Sequence, residues 1–126
     1  MTKRPQDMTI LIVDDEDTLR EIVSMQIEED GYNVLQAKGG HEAFKLVQKA
    51  QIDLVISDMR MPDGDGEELL RSINTLKENK PAFIMLTGFS QLSKEDALKL
   101  GAKDMLAKPI DFDLLDELIH EVLLTL

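Results

Sequence analysis

The chain has 126 residues, of which 43% are hydrophobic, and it carries a formal net charge of −11 at pH 7. These values suit one domain with its own core and argue against non-specific nucleic-acid binding; the absence of cysteine excludes a disulfide framework. Because the start MTKRPQD is polar and no apolar run reaches the ~18 residues of a membrane span, we expect a cytoplasmic protein: one domain over residues 1–126, with a polar extension over 1–7.

The first half of the chain alternates between strand-like and helix-like apolar patterns. MTILIVDD predicts a buried strand, and a helix follows from Asp17 until Gly31 ends it. YNVLQA predicts the second strand, and IDLVIS predicts the third after an intervening helix. The apolar stripes of these two helices comprise Leu19, Ile22, Val23, Gln26 and Ile27 in the first, and Ala43, Phe44, Val47 and Ala50 in the second.

The second half continues the same alternation. The loop MRMPDGDG leads to a helix whose stripe comprises Leu69, Leu70, Ile73 and Leu76. AFIMLT predicts strand four, SKEDALKLG a short helix capped by Gly101, and KDMLA strand five, before a last helix from about Asp111 to Leu124. Five strands that alternate with five helices predict an α/β fold, in which helices cover both faces of a doubly wound parallel sheet.

Polar residues stand where four of the predicted strands end. Ligands of open parallel sheets bind beyond the carboxyl ends of the strands, so this joint placement indicates a functional site rather than helix caps alone. Three carboxylates and one ammonium group sum to −2, which a divalent cation would neutralise, and oxygen ligands favour Mg²⁺. The residues are Asp14, Asp15, Asp58, Thr87 and Lys108.

An aspartate at such a site has a specific chemistry available. With a cation bound, Asp58 can attack a phosphoryl group as a nucleophile, because aspartyl phosphates are known covalent intermediates. The new charge would then need partners. Lys108 offers a cation and Thr87 a hydroxyl donor.

Four motifs together resemble the receiver domain of two-component response regulators, the CheY-like family, over essentially the whole chain. They are IVDDE at 12–16, DMRMPDGDG at 58–66, the Thr-Gly step at 87–88 and GAKDMLAKP at 101–109. The resemblance implies a flavodoxin-like (βα)5 fold with strand order 2-1-3-4-5. It also implies a cis peptide bond before Pro109.

The resemblance implies a role for each site residue. Asp58 is similar to the phospho-acceptor, Asp15 to a direct Mg²⁺ ligand and Asp14 to a ligand that acts largely through water. The backbone carbonyl of Arg60 would be the third protein ligand of the metal. Thr87 resembles the switch hydroxyl and Lys108 the lysine that pairs with the phosphate.

Three residues depart from the family pattern. Met105 stands where receivers usually have Tyr or Phe, which removes the aromatic rotamer switch but leaves open an altered coupling in which the flexible methionine moves inward behind Thr87. Arg60 and Phe89 occupy positions that flank the hydrolytic water in the family, and neither is a carboxylate or amide that would orient water. These two residues predict a long-lived phosphorylated form.

We therefore expect a signalling switch, not an enzyme beyond self-phosphorylation and slow self-dephosphorylation. Its expected partners are a sensor histidine kinase or phosphotransfer protein and an output protein or domain, with neither nucleic acid nor membrane bound directly. The apolar residues of the last helix exceed one stripe and leave an interface, including a homodimer, open.

Other interpretations compete with this one. A Mg²⁺-dependent phosphatase acting through an aspartyl phosphate is one alternative, although its usual D-x-D motif after the first strand is replaced by D-D. A binding module that never takes phosphate is another, and Met105 favours it. A calcium loop in MPDGDGEE is disfavoured because Glu68 stands where Gly is needed. We expect His41 and His120 to be solvated surface residues.

Overall fold

The computed structural model describes residues 4–88 and 92–125. Within these ranges, five strands alternate with five helices, preceded by a single 3₁₀ turn at Pro5–Asp7. The strands are β1 (Thr9–Val13), β2 (Asn33–Ala37), β3 (Leu54–Asp58), β4 (Ala82–Thr87) and β5 (Asp104–Ala107). The helices are α1 (Asp17–Glu29), α2 (Gly40–Lys49), α3 (Gly66–Asn74), α4 (Lys94–Lys99) and α5 (Phe112–Leu124).

All five strands form one parallel sheet in the order β2-β1-β3-β4-β5, which confirms the predicted topology. β1 and β3 lie in the interior and are buried on both faces, as expected for apolar runs without alternation. The chain order reverses direction at β1, and the strands beside that point, β1 and β3, end next to each other. In sheets of this kind the carboxyl ends at the reversal form the binding crevice.

The sheet separates two layers of buried side chains. Alternate residues of the central strands, such as Ile12 and Ile56, pack against α1 and α5 on one face. Their neighbours in sequence, such as Val13 and Val55, pack against α2, α3 and α4 on the other. This alternation follows from the two-residue period of a strand and explains why both neighbours must be apolar.

Helix ends follow local signals in the sequence. Gly31 and Gly101 adopt positive φ values of +98° and +109° after α1 and α4, as expected for glycine beyond a helix C-terminus. At the other ends, the side chains of Asp65, Ser93 and Asp111 accept hydrogen bonds from the first turns of α3, α4 and α5. In the part of the chain that the structure describes, no helix combines the length and apolarity needed to cross a membrane.

Two local predictions were wrong. The buried face of α1 contains Arg20, Val23, Ser24 and Ile27, whereas Ile22 is 47% exposed. The predicted apolar stripe therefore wrongly included Ile22 and omitted Arg20 and Ser24. Leu76 lies beyond the end of α3. Within the polar start, the side-chain amide of Asn33 donates to the carbonyl of Gln6 at 2.8 Å and holds the 3₁₀ turn against β2.

Two carboxyl groups meet between α1 and α5, at the edge of the sheet opposite the strand carboxyl ends. Asp116 on α5 and Asp30 after α1 line the same cavity, and the Asp116 Oδ1 atom is buried without a hydrogen-bond partner among the described residues. Burial raises the pKa of Asp116 to about 6, assisted by the neighbouring carboxyl group of Asp30 and by the charge of Asp113.

This pair predicts a pH-dependent stability. The unfolded chain releases the Asp116 proton near its ordinary pKa of about 4, whereas the folded protein keeps it until about pH 6, so stability should fall as the pH rises through that window. Asp116→Asn should raise the free energy of unfolding at pH 7 and flatten the slope between about pH 4 and 6, measured by urea unfolding. Asp113→Asn, at an exposed position, is the matched control and should change the slope less. An unchanged slope in Asp116→Asn would contradict the assignment.

Candidate functional site

The polar residues predicted at the strand ends do lie at one edge of the sheet. Asp14 and Asp15 follow β1, Asp58 ends β3, Thr87 ends β4, and Lys108 follows β5. The parallel order places all of these ends on the same side, at the reversal point of the sheet. The structure thus brings residues that are up to 94 positions apart into one site.

Asp14, Asp15 and Asp58 form the acidic cluster of this site. One carboxylate oxygen of each residue lies within 4.8 Å of the others. Asp14 is buried, Asp58 is partly buried and Asp15 is exposed, so the cluster opens toward solvent on the Asp15 side. The backbone N–H of Glu16 donates to Asp14 Oδ1 at 2.9 Å and fixes the orientation of the deepest carboxylate.

Lys108 bridges two of the three carboxylates. Its Nζ atom lies 3.2 Å from Asp58 Oδ2 and 3.3 Å from Asp14 Oδ2. The backbone N–H of Lys108 donates to the carbonyl of Thr87 at 2.8 Å, so the main chain positions the lysine beside β4. The Lys108–Pro109 peptide bond is cis, as the resemblance implies.

The electrostatics of the site leave negative charge uncompensated. Burial raises the pKa of Asp58, and the neighbouring charge of Asp14 adds to this, while Lys108 opposes it. Burial alone would lower the pKa of Lys108, but the charges and hydrogen bonds of Asp58 and Asp14 outweigh burial and raise it. Lys108 therefore stays protonated. The negative charge of Asp58 is energetically unfavourable in these surroundings, because the carboxylate is partly buried beside Asp14.

The donor set of the cluster fits a hard divalent cation. Three carboxylates (−3) and Lys108 (+1) sum to −2, the charge that one divalent ion offsets. All the candidate donors are oxygen atoms, which suits Mg²⁺ better than softer metals. Among residues 4–88 and 92–125, this is the only group of three or more acidic, histidine or cysteine side chains close enough to share an ion.

The loop between β3 and α3 is held tightly beside Asp58. The backbone amide of Met59, the first residue of the loop, donates to the Leu86 carbonyl at 2.8 Å, and the amide of Gly66, the first residue of α3, donates to the Met59 carbonyl at 2.9 Å. The amide of Gly40, at the start of α2, donates to the Gly64 carbonyl at 2.8 Å. Residue 40 must be glycine for this approach, since a Cβ atom there would lie 2.7 Å from the same carbonyl oxygen.

Arg60 lies on this anchored loop, two residues beyond Asp58, with its side chain exposed. Asp65, an acid of the disfavoured calcium loop, instead accepts a hydrogen bond from the Glu68 amide at 2.8 Å as the N-cap of α3.

The two histidines are exposed, as predicted. His41 lies 4.0 Å from a Glu68 oxygen, and His120 lies on α5. Phe89 lies outside the described residues.

Thr87 and Met105 share one face of the sheet. The register pairs Met85 with Met105 and Thr87 with Ala107, and side chains two residues apart point the same way. Thr87 is buried, and Met105 packs against the apolar layer beneath α2, α3 and α4. Thr87 at the end of β4 and Met105 on β5 therefore lie on the same face of two neighbouring strands.

Sequence reasoning missed one residue that contacts the site. The guanidinium of Arg20 donates to the backbone carbonyl of Asp14 at 2.9 Å and is buried. A signal was present, because Arg20 precedes Val23 and Ile27 by three and seven residues and so shares their helix face.

Comparison with known proteins gives a consistent match. The family model described as the response regulator receiver domain matches residues 10–120. Sporulation initiation phosphotransferase F of Bacillus subtilis is 35% identical over 115 residues, which cover 90% of this chain and 92% of that protein. The transcriptional regulatory protein ZraR of Salmonella typhimurium is 40% identical over 114 residues, but the match covers 90% of this chain and only 26% of ZraR. The chain thus spans about a quarter of that regulator.

Solved structures give the same match at the level of the fold. A response regulator receiver domain protein from Clostridium thermocellum superposes with a TM-score of 0.86 and 33% identity, covering 94% of this chain and 95% of that one. The chemotaxis protein CheY4 of Vibrio cholerae gives a TM-score of 0.83 and 32% identity, covering 91% of this chain and 98% of that one.

Proposed function

Because this chain belongs to the receiver domain family of two-component response regulators, we propose that it accepts a phosphoryl group on Asp58 and thereby changes its binding partners. The donor is the phosphohistidine of a sensor kinase or of a phosphotransfer protein, and the reaction depends on Mg²⁺. The whole chain, residues 1–126, acts as one receiver domain. The name of the Bacillus relative, a phosphotransferase, supports a phosphoryl-transfer role.

The observation that carries this proposal is the position of Asp58 relative to its neighbours. Its carboxylate lies at the open edge of the sheet, 3.2 Å from the Lys108 ammonium and within 4.8 Å of the other two acids of the cluster. A solvated surface aspartate would not lie beside a buried carboxylate of the same charge, as Asp58 does beside Asp14. Such an arrangement costs stability and is typical of functional sites.

The proposed step is an in-line displacement at phosphorus. A carboxylate oxygen of Asp58 attacks the phosphorus atom, the P–N bond to the donor imidazole breaks, and an acyl phosphate forms on Asp58. The released imidazole nitrogen keeps the electron pair of the broken bond. Asp14, Asp15, Asp58 and the Arg60 carbonyl would hold Mg²⁺, which supplies the positive charge that lets an anionic donor approach these carboxylates.

Lys108 and Thr87 act after the transfer. The Lys108 ammonium, already in hydrogen-bonding range of Asp58 Oδ2, pairs with the new phosphoryl oxygens. The Thr87 hydroxyl donates to the same group, and Met105 fills the space behind it. These contacts couple the charge on Asp58 to the surface around β5. An output protein, an output domain or a second copy of the chain would bind at that surface.

Intact mass measurement after incubation with phosphoramidate and Mg²⁺ tests the proposal. The wild-type protein should gain one phosphoryl group, and Asp58→Asn should gain none. Chelation of Mg²⁺ should suppress the gain. Asp63→Asn is the matched control, an exposed aspartate in the same loop, and should be modified like the wild type.

The mass measurement and a separate assay with a small phosphate ester distinguish the rival functions. A binding module that never takes phosphate would show no mass change in any variant. A phosphatase would turn over a small phosphate ester many times, whereas a receiver releases phosphate only as fast as its own acyl phosphate decays. A gain that persists in Asp58→Asn would contradict the assignment of the acceptor.

A further inference from the structure

Arg20 is a buried cation immediately beside the acidic cluster. It lies in the first turns of α1 and is only 6% exposed, although arginine is rarely buried unless its charge and donors are satisfied. Neither the proposed phosphoryl transfer nor the pairing with Lys108 uses it. Its position therefore requires an explanation of its own.

The guanidinium contacts three separate elements. Nη1 donates to the Asp14 backbone carbonyl at 2.9 Å, and Nη2 donates to Asp17 Oδ1 at 2.7 Å. Nε donates to the side-chain oxygen of Gln36 on β2 at 3.0 Å. One planar group thus joins the end of β1, the start of α1 and the edge strand of the sheet, a geometry that the lysine ammonium cannot reproduce.

The contact with Asp14 completes the fixation of that residue. Asp14 Oδ1 accepts from the Glu16 amide, and Oδ2 accepts from Lys108, so both side-chain oxygens have donors. The backbone N–H of Asp14 donates to Ala37 on β2 at 3.1 Å. Arg20 holds the remaining group, the carbonyl of the peptide bond that joins Asp14 to Asp15. The orientation of this peptide fixes the backbone position from which the exposed Asp15 side chain extends.

We infer that Arg20 is a positioning residue: it fixes the peptide between Asp14 and Asp15 so that both carboxylates are preset for a divalent cation. The inference rests on the proposed Mg²⁺-dependent function. Groups that orient metal ligands in this way typically change metal affinity by about 10–100-fold when they are removed.

Charge and positioning predict opposite effects of removing Arg20. A cation beside three carboxylates repels Mg²⁺, so a purely electrostatic role predicts that Arg20→Met binds the ion more tightly. A positioning role predicts weaker Mg²⁺ binding in both Arg20→Met and Arg20→Lys. Lysine keeps the positive charge but lacks the planar guanidinium whose N–H groups contact three acceptors at once. The direction of the change therefore distinguishes the two roles.

The test is a Mg²⁺ titration of the full chain by isothermal titration calorimetry. We expect both Arg20 variants to bind Mg²⁺ about tenfold more weakly than the wild type. Val23→Ala is the control for a general loss of stability, because Val23 is a buried residue about one turn further along α1 that packs in the apolar layer and offers no polar contact. It should destabilise the fold without changing the affinity for Mg²⁺.

A neutral variant covers the case in which the Arg20 variants do not fold. Gln36→Ala removes one of the three acceptors of Arg20 without changing any charge and should weaken Mg²⁺ binding to a smaller extent, whereas Gln51→Ala, in the loop before β3, should not. Unchanged or tighter binding in the folded Arg20 variants, or unchanged binding in Gln36→Ala when they do not fold, overturns the inference. If the wild type itself binds no Mg²⁺, the proposed function fails instead, and the inference fails with it.

Discussion

Replacing Lys108 with alanine should lower the free energy of unfolding of the metal-free protein by about 3 kcal/mol, the low end of the cost of breaking a buried ion pair. The low end applies because the Lys108 side chain is 21% exposed. Its ammonium bridges Asp58 and Asp14, and without it their carboxylates repel each other in a partly buried site. Urea unfolding in the presence of a chelator measures this loss.

Mg²⁺ and a surface variant provide the controls. Saturating Mg²⁺ should restore more stability to Lys108→Ala than it adds to the wild type, since the ion then meets a more negative site and binds only the folded state. Lys94→Ala breaks the Lys94–Asp104 pair, whose lysine is 60% exposed, and should cost no more than about 1 kcal/mol. Equal losses in the two variants, or no extra effect of Mg²⁺, would mean that the three acids do not share one electrostatic site.

The fold could be predicted because its signals are local. Apolar runs of five or six residues identified β3 and β4, and positive-φ glycines marked the ends of α1 and α4. The end of each strand was predicted closely enough to place Asp14, Asp58 and Lys108, and the parallel topology then brought them together without further information.

What was missed depends on tertiary contacts. Ile22 has the spacing of a core residue but faces solvent, because an arginine and a serine occupy the buried face of α1. The spacing of Arg20 places it on that face, but its burial requires the Asp14 carbonyl, Asp17 and Gln36 as acceptors, and the fold alone brings Gln36 within reach. The Asp30–Asp116 pair joins the residue that follows α1 to a residue of α5, far apart in sequence, and no local pattern at either position indicates it.

The chain's departures from the family at Arg60 and Phe89 predict an unusually long-lived phosphorylated form. Hydrolysis of an aspartyl phosphate requires a water held in line with phosphorus, and loss of such positioning can cost about 100-fold in rate. Arg60 lies on the loop that follows Asp58, and its exposed cation is free to approach the phosphoryl oxygens but cannot accept a proton from water. Phe89, which lies outside the described residues, offers no polar atom to hold the water.

Decay of the phosphorylated protein at constant Mg²⁺ tests this, with intact mass followed over time. The double variant Arg60→Asn with Phe89→Glu places an amide and a carboxylate at the two positions, and we expect its phosphoryl group to be lost at least about tenfold faster than in the wild type. Arg71→Asn, which removes an exposed arginine from α3, is the matched control and should decay at the wild-type rate. The single variants show which residue dominates. Equal or slower decay in the double variant would mean that access of water is controlled elsewhere, and that these two side chains do not set the lifetime.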